Sequence, residues 1–438
     1  MLQTIGIILV LALFMFLCLK GYNTIVCAIL CSILAIAVTG QPMVATWTGS
    51  FLVGAGDTVK ALAGNFLAGS FFGKMYQESG AATSIARMFI RIVRGKNDHL
   101  NPVVAILAIY VPCLILGFGG ITGAPITFIL VPIALEILKE ARVPKEMAPA
   151  VVLGVVLTSL QCMPGAPQLN NVLCMDLLGT SSTASMIIGI ITGVFILAIN
   201  TGYIAVVTKR YHRLNPGADL GYEKLGSNAD KRLPNPIISL IPLIFVFVAF
   251  NVFKLFITYT LLLGALISGL MFSVMKSIEL KKIPDILGNA AMTIAPTIII
   301  CATVAGLGYI ITGSETFNVM TNALLGLSGP PIFTVALVIG LVACICGNGL
   351  TALQTVIPAF KDTFVAAGVK LPALHRVACY SSVTLDSLPT SSMVILTSQL
   401  CGEPLSRCYK HIFMTTVINT SLGTFLCCVL TTLFPNWP

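Results

Sequence analysis

Long apolar runs separated by short polar turns make up most of this 438-residue chain. The first two runs, 5–19 and 24–38, are joined by a four-residue turn. Each run approaches the roughly 20 residues with which a helix crosses a bilayer. Several later runs carry glycine and proline in their middle, which would interrupt a helix. The pattern predicts an all-α protein that crosses a membrane repeatedly and contains broken helices.

Two kinds of interruption occur in each half of the chain. In the first half Gly120 to Gly123 precedes Gln161 to Pro167, and in the second half Gly347 to Gly349 precedes Asp386 to Ser392. The second set follows the first at offsets of 226 (349 minus 123) and 225 (389 minus 164). We therefore predict two copies of one unit, each with a re-entrant helical hairpin and a broken transmembrane helix.

The composition agrees with a membrane protein. Hydrophobic residues make up 57% of the chain and charged residues 9%, with a mean hydropathy of +0.97, which is too apolar for a soluble globular protein. The net charge of +9 comes from short clusters of Lys and Arg between apolar runs. Such clusters are typical of cytoplasmic loops, so we expect lipid and not nucleic acid as a partner.

The sequence contains little that would support a metal site or an enzyme. Its 14 cysteines lie mostly in apolar runs without a C-x-x-C pair, and its four histidines are near charged loops. No membrane segment has a nucleophile and base or a metal motif. We therefore predict no enzymatic activity, no metal and no cofactor. A channel is also disfavoured, because two opposed internal copies suit alternating access better than a ring of identical filters. The histidines are His99, His212, His375 and His411.

Counting helices between the basic clusters places both termini outside the cell and the two copies in opposite orientations, related by a pseudo-two-fold axis in the membrane plane. Asp57 and Lys60 are expected at an external loop or helix start. The charges near Lys361, Lys370 and Arg376 are assigned to a loop. The predicted organisation is N-terminal transmembrane helices (1–56), a first copy (57–208) with interrupted segments at about 103–138 and 147–175, a cytoplasmic loop (209–236), linking helices (237–285) and a second copy (286–438) with interrupted segments at about 331–360 and 373–401. In each pair one segment is a hairpin and the other a broken crossing, and the residues leave open which is which.

Four motifs together carry a resemblance to a known family. They are GSFFGKMYQESGAATSIA at 69–86, GFGGITG at 117–123, MPGAP at 163–167 and LDSLP at 385–389. They resemble the gluconate permease (GntP-type, gluconate:proton symporter) family of the ion transporter superfamily, over about 57–425. The resemblance implies a bacterial inner-membrane symporter that takes up small organic acid anions with protons. It also implies a scaffold domain, a moving transport domain with an elevator-like motion, and a homodimer.

The resemblance also implies that the N-terminal helices (1–56) belong to the scaffold and that the hairpin comes first in each copy (about 103–138 and 331–360), with its tip at Gly117 to Gly123 or Gly347 to Thr351. The broken helix follows (about 147–175 and 373–401) and is unwound at its centre. Members of the family often have a histidine in runs like PPHPGP and SLPHSG. Met163 and Thr390 stand at those positions here. The coupling ion therefore stays open between H⁺, which we favour, and Na⁺, which would fit a carboxylate or dicarboxylate transporter of another branch.

Unwound helices expose backbone N–H groups at half-helix N-termini, where a carboxylate could be bound without a buried Arg or Lys. Hydroxyl and amide side chains beside them could bind the substrate's own hydroxyls. The alternative is that the glycines only allow close helix packing and the hydroxyls bond to their own helix turn. The predicted substrate-binding residues are Gly120, Thr122, Gly123, Gln168, Asn170, Asn171, Gly347, Asn348, Gly349, Thr351, Thr390, Ser391 and Ser392.

Asp386 is the most informative single residue, because an acid inside an apolar segment is costly and its default interpretation is functional. Its counterpart in the first copy is Gln161 (386 minus 225), so the architecture alone does not require an acid. We predict that Asp386 and the adjacent Ser387 bind the coupling cation. The alternative is that Asp386 caps the following half-helix, since Asp-Ser-x-Pro is also typical of a helix start.

Overall fold

The protein is α-helical over the residues that the computed structural model describes, which are 2–94, 100–118, 123–156, 160–222, 233–253, 255–317, 319 and 330–437. Gly120 and Thr122 lie outside them. The main helices are α1 (Leu2–Leu19), α2 (Thr24–Thr39), α3 (Leu52–Glu78), α4 (Ala81–Arg94), α5 (Pro102–Phe118), α6 (Gly123–Glu140), α7 (Ala148–Val155), α8 (Leu169–Leu178), α9 (Met186–Leu214), α10 (Ile241–Asn251), α11 (Ile257–Val274), α12 (Ile283–Thr312), α13 (Pro331–Cys346), α14 (Gly349–Ala366), α15 (Leu371–Ser382), α16 (Ser392–Cys401), α17 (Leu405–Ile412) and α18 (Asn419–Leu433).

Four of the described helices are long and apolar enough to cross a membrane by themselves. The last of them is continuous, because a π-helical segment joins α17 to α18. Helix ends follow local signals in the sequence. For example, Asn23 caps α2 by accepting hydrogen bonds from the N–H groups of Ile25 and Val26, which would otherwise lack partners. The prediction of an all-α polytopic membrane protein is confirmed. The four spans are Met186–Leu214, Ile257–Val274, Leu280–Thr312 and Leu405–Leu433.

Helices α3 and α12 cross closely and pack along each other. Gly54 lies against the ring of Tyr309, where a Cβ would overlap it. The expectation of a loop or helix start at Asp57 and Lys60 is wrong, because both lie inside α3. Gly54 allows α12 to approach, and the packing gained outweighs its low helix propensity.

The interruptions predicted from glycine and proline are present. Helix α7 ends at Val155 and α8 begins at Leu169, while α15 ends at Ser382 and α16 begins at Ser392. We call residues 160–168 the first break and residues 383–391 the second break. Each break consists mainly of turns and non-helical backbone. Helices α5 and α6 pack against each other, as do α13 and α14, and we call these the first and second helix pairs.

Contacts run reciprocally between the two halves of the chain. In the first helix pair α6 packs on α16, and in the second helix pair α14 packs on α8. The half-helices also meet across the halves, with α7 on α16 and α15 on α8. Both breaks are therefore brought together, and each is covered by elements of the other half.

The first helix pair docks on α3 through small residues. Gly69 faces the ring of Phe128, and a Cβ on Gly73 would lie 2.9 Å from the Phe128 carbonyl oxygen. These two glycines are four apart, so they lie on one face of α3. Their missing side chains allow α6 to approach the helix backbone directly.

At one end of the fold, ion pairs join the segment between α6 and α7 to the segment around α17. Lys145 lies 3.5 Å from Glu403, and both side chains are only 7% exposed. Glu146 lies 3.2 Å from His411 and 3.1 Å from Lys410. The hydrogen bond from His411, together with Lys410, lowers the pKa of Glu146 to about 2. His411 is buried beside these charged residues.

We predict that Glu403→Gln destabilises the protein strongly, by about 3–5 kcal/mol, because it leaves the buried Lys145 ammonium without a counter-charge. Thermal unfolding of the purified protein in detergent measures this. The matched control is Glu279→Gln, which removes the exposed pair with Lys282 (63% and 70% exposed) and should cost about 1 kcal/mol or less. Equal melting temperatures for the two variants would contradict a stabilising role for the buried pair.

Candidate functional site

Two adjoining cavities lie where the helix pairs meet the breaks. The central cavity has a volume of about 190 Å³. The side cavity, of about 440 Å³, lies between α3, α12 and the turn of the second helix pair. The two share Gly347, Asn348 and Ser392. The central cavity is lined by residues of both halves, including Asn65, Phe66, Gly123, Gln161, Gln168, Asn170, Gly347, Asn348, Asp386, Ser391 and Ser392.

Most of the predicted site residues converge on these cavities. Thr351 and Thr390 line the side cavity. Asn171, Gly349 and Ser387 line neither cavity, and Gly120 and Thr122 lie outside the described residues. The predicted residues that line the central cavity are Gly123, Gln168, Asn170, Gly347, Asn348, Asp386, Ser391 and Ser392.

The turn of the second helix pair nests directly on the second break, and only glycine fits there. Gly347 has a φ of +61°, and a Cβ on it would lie 3.1 Å from the Thr390 carbonyl oxygen. A Cβ on Gly349 would overlap the carbonyl oxygen of Ser382. The backbone conformation of Gly347 and the space beside both Gly347 and Gly349 therefore exclude side chains at these two positions.

Asp386 joins the second break to the N-terminus of α14. Its carboxylate accepts hydrogen bonds from the Gly349 N–H and from the Ser391 hydroxyl. Asn348 is the N-cap of the same helix and accepts from the N–H of Leu350 at 2.9 Å. Asp386 thus binds the start of a helix in the neighbouring pair, and the N-cap of α16 is Ser391. A carboxylate at a helix N-terminus is also favoured by the helix dipole.

Amide side chains in the first break and at the start of α8 bind the end of α5 and the end of α15. Gln168 donates to the Gly117 carbonyl at 2.7 Å, in the last turn of α5. Asn170 donates to the Ser382 hydroxyl at 2.8 Å, which lies where α15 ends. On the other side, the buried hydroxyls of Ser387 and Thr390 have no hydrogen-bond partner among the described residues. The Thr390 hydroxyl lines the side cavity and is available to a bound ligand or ion, whereas Ser387 lines neither cavity.

Two buried residues beside the first break were not singled out from the sequence. His375 and Arg376 are fully buried in α15. His375 lies between Thr180 (2.6 Å) and Asn171 (2.8 Å), while Arg376 donates to the Cys162 carbonyl at 2.6 Å. Leu371-Pro372 was the available signal, because proline at the start of a helix places both residues in its second turn.

A family model described as GntP family permease matches residues 1–433. The chain belongs to the GntP permease family. It is also similar to a protein of Bacillus subtilis (strain 168) described as uncharacterized transporter YxjC, with 24% identity over 96% of this chain and 97% of that protein. The family predicted from the motifs is confirmed, and both comparisons support secondary transport, not catalysis, as the activity of this GntP permease.

Because Gly349 abuts a backbone carbonyl, we predict that Gly349→Ala in this GntP permease forces the second helix pair away from the second break. The expected cost is about 1–3 kcal/mol, as for other overpacked sites. Thermal unfolding in detergent measures the change. Gly288→Ala serves as the control, since a Cβ there would meet no atom within 4 Å. If both variants melt at the same temperature, the turn does not nest as described.

Proposed function

We propose that this GntP permease is a symporter that imports a small organic acid anion, such as a sugar acid or a short hydroxy acid, together with protons. The observation that carries the proposal is the central cavity itself. It is lined by both helix pairs and both breaks, and Asp386 is the charged residue in its lining. A site built between two halves of opposite orientation is the arrangement that alternating access requires.

The helix termini beside the central cavity supply donors for a carboxylate. Helix α16 starts after Ser391 and α8 starts after Gln168, and neither N-cap residue accepts a hydrogen bond from its own helix. The first N–H groups of both half-helices therefore lack the usual side-chain acceptor. An anion in the cavity would meet two positive dipole ends. The amides of Gln168 and Asn170 would help to orient its hydroxyl groups.

Asp386 provides the coupling to a cation in this proposal. Its carboxylate holds the Gly349 N–H and the Ser391 hydroxyl, and both contacts belong to elements that line the cavities. Protonation would remove one acceptor from this junction and its negative charge from the cavity. A proton on Asp386 and an anion in the cavity would then favour each other's binding.

Sodium coupling is the second candidate, and one observation favours it. The hydroxyls of Ser387 and Thr390 lie in the same break as Asp386 and have no partner among the described residues. Hydroxyl, carbonyl and carboxylate oxygens are the ligands that Na⁺ takes in transporters with broken helices.

We further propose inverted repeats with the domain bounds predicted above, and an elevator-like motion in a homodimer of the bacterial inner membrane, with both termini external. The reciprocal packing of α6 on α16 and of α14 on α8 supports the repeats. A third cavity of about 100 Å³ lies between α3, α6, α12 and α16. Like the side cavity, it is lined by α3 and α12, but the first helix pair stands where the side cavity has the second. This is the arrangement expected for an access route from the opposite side of the membrane.

We predict accumulation of at least one acid when an inward proton gradient is imposed on proteoliposomes. The labelled panel is gluconate, glycerate, lactate and succinate, each assayed under separate proton and sodium gradients. Asp386→Asn should abolish accumulation driven by the gradient, because the carboxamide cannot carry the proton. Asp176→Asn, at an exposed aspartate of α8, is the matched control and should transport as the wild type does.

Two outcomes would change the proposal. Uptake that follows the sodium gradient and ignores the proton gradient would select the second candidate. A pH and Na⁺ dependence unchanged in Asp386→Asn would remove Asp386 from the coupling mechanism in either case.

A further inference from the structure

Arg376 is the largest fully buried side chain among the described residues. Its charge has no carboxylate partner in that part of the chain. All of its acceptors are neutral oxygens, so the guanidinium is hydrogen-bonded but not neutralised. A buried charge of this kind is costly, and its field extends through the low-dielectric interior. The acceptors are the carbonyls of Cys162 (2.6 Å), Ser182 (3.2 Å) and Ala184 (2.7 and 3.0 Å) and the Asn171 side-chain oxygen (3.4 Å).

The guanidinium lies directly behind the central cavity. Cys162 follows Gln161 in the chain, and Asn171 follows Asn170, and both preceding residues line the cavity. The lining itself contains no lysine or arginine. Arg376 is therefore hydrogen-bonded to residues that directly follow two lining residues of the cavity. It lies beside the first break, while Asp386 lies in the second break.

We propose that Arg376 makes the central cavity selective for an anion, and that it does so as a positioning residue through the first break, without touching the ligand. This inference rests on the proposed function of the same cavity. Two opposite unit charges about 10 Å apart, at an effective dielectric constant of about 20, attract strongly enough to change a binding constant more than tenfold. A buried guanidinium can therefore select a carboxylate over its amide from behind the cavity wall.

A purely structural role for Arg376 makes different predictions. Arg376 ties α15 to the turn before α9, and Tyr380 ties α15 to the first turn of α9, where its hydroxyl donates to the Gly189 carbonyl at 2.7 Å. Tyr380→Phe removes a buried contact between the same elements without changing any charge. It is the matched control for the loss of the clamp, and Arg376→Lys keeps the charge while losing the planar fork.

The test measures binding in detergent by thermal stabilisation, with gluconate, glycerate and lactate as anions and with the neutral amide of each. The wild type should bind at least one acid more than tenfold tighter than its amide. Arg376→Gln should weaken acid binding at least tenfold and leave amide binding unchanged. Arg376→Lys should retain acid binding within about threefold, and Tyr380→Phe should match the wild type.

Three results would overturn the proposal. They are equal binding of acid and amide by the wild type, equal weakening of both by Arg376→Gln, and identical behaviour of Arg376→Lys and Arg376→Gln. Equal binding of acid and amide by the wild type would overturn the proposal even if Arg376→Gln does not fold. Acid binding that depends on Arg376 without gradient-driven uptake would refute symport alone, whereas uptake unaffected by Arg376→Gln would refute this inference alone.

Discussion

The structure depends on satisfying the backbone groups that two broken helices expose inside an apolar protein. Each free N–H or C=O costs several kcal/mol where water is absent. The fold meets this cost by bringing the breaks together and covering each with neighbouring elements. In the second break, Gly347 and Gly349 let the turn of the second helix pair lie on the backbone itself. In the first break, Arg376 covers the carbonyl of Cys162. The central cavity is the space left between the two covered breaks.

The two breaks are covered by opposite charges, and this asymmetry matters for function. Asp386 accepts from backbone and hydroxyl donors in the second break, and Arg376 donates to carbonyls beside the first break. Repeated units would reproduce the backbone at both places but not these side chains, since Gln161 stands where Asp386 would be repeated. The two breaks therefore both interrupt a helix but differ in charge.

The spacing of glycine and proline predicted the helix interruptions well, because a helix is interrupted by the residues at the interruption itself. The breaks before Leu169 and Ser392 and the turn at Gly347 follow directly from it. The convergence of Gln168, Asn170, Asp386 and Ser391 followed from the repeat offset. Burial did not follow, because it depends on partners far away in the chain. Arg376 resembles a loop charge until the carbonyls of 182 and 184 are placed beside it, and Asp57 resembles a loop residue until α12 is packed on α3.

The contacts of the site differ in kind, and we infer from this where motion between parts is least costly. The breaks are joined by buried hydrogen bonds such as Asn170 to Ser382 and Arg376 to Ala184. Separating these would leave buried polar groups without partners, so the elements around the cavity form one rigid unit. The contact of α3 with α6 instead places Phe128 against Gly69 and Gly73. When two such surfaces slide, one set of van der Waals contacts replaces another. The free-energy cost is small, because no directed hydrogen bond is lost. A displacement that carries the cavity past α3 would therefore begin at these two glycines.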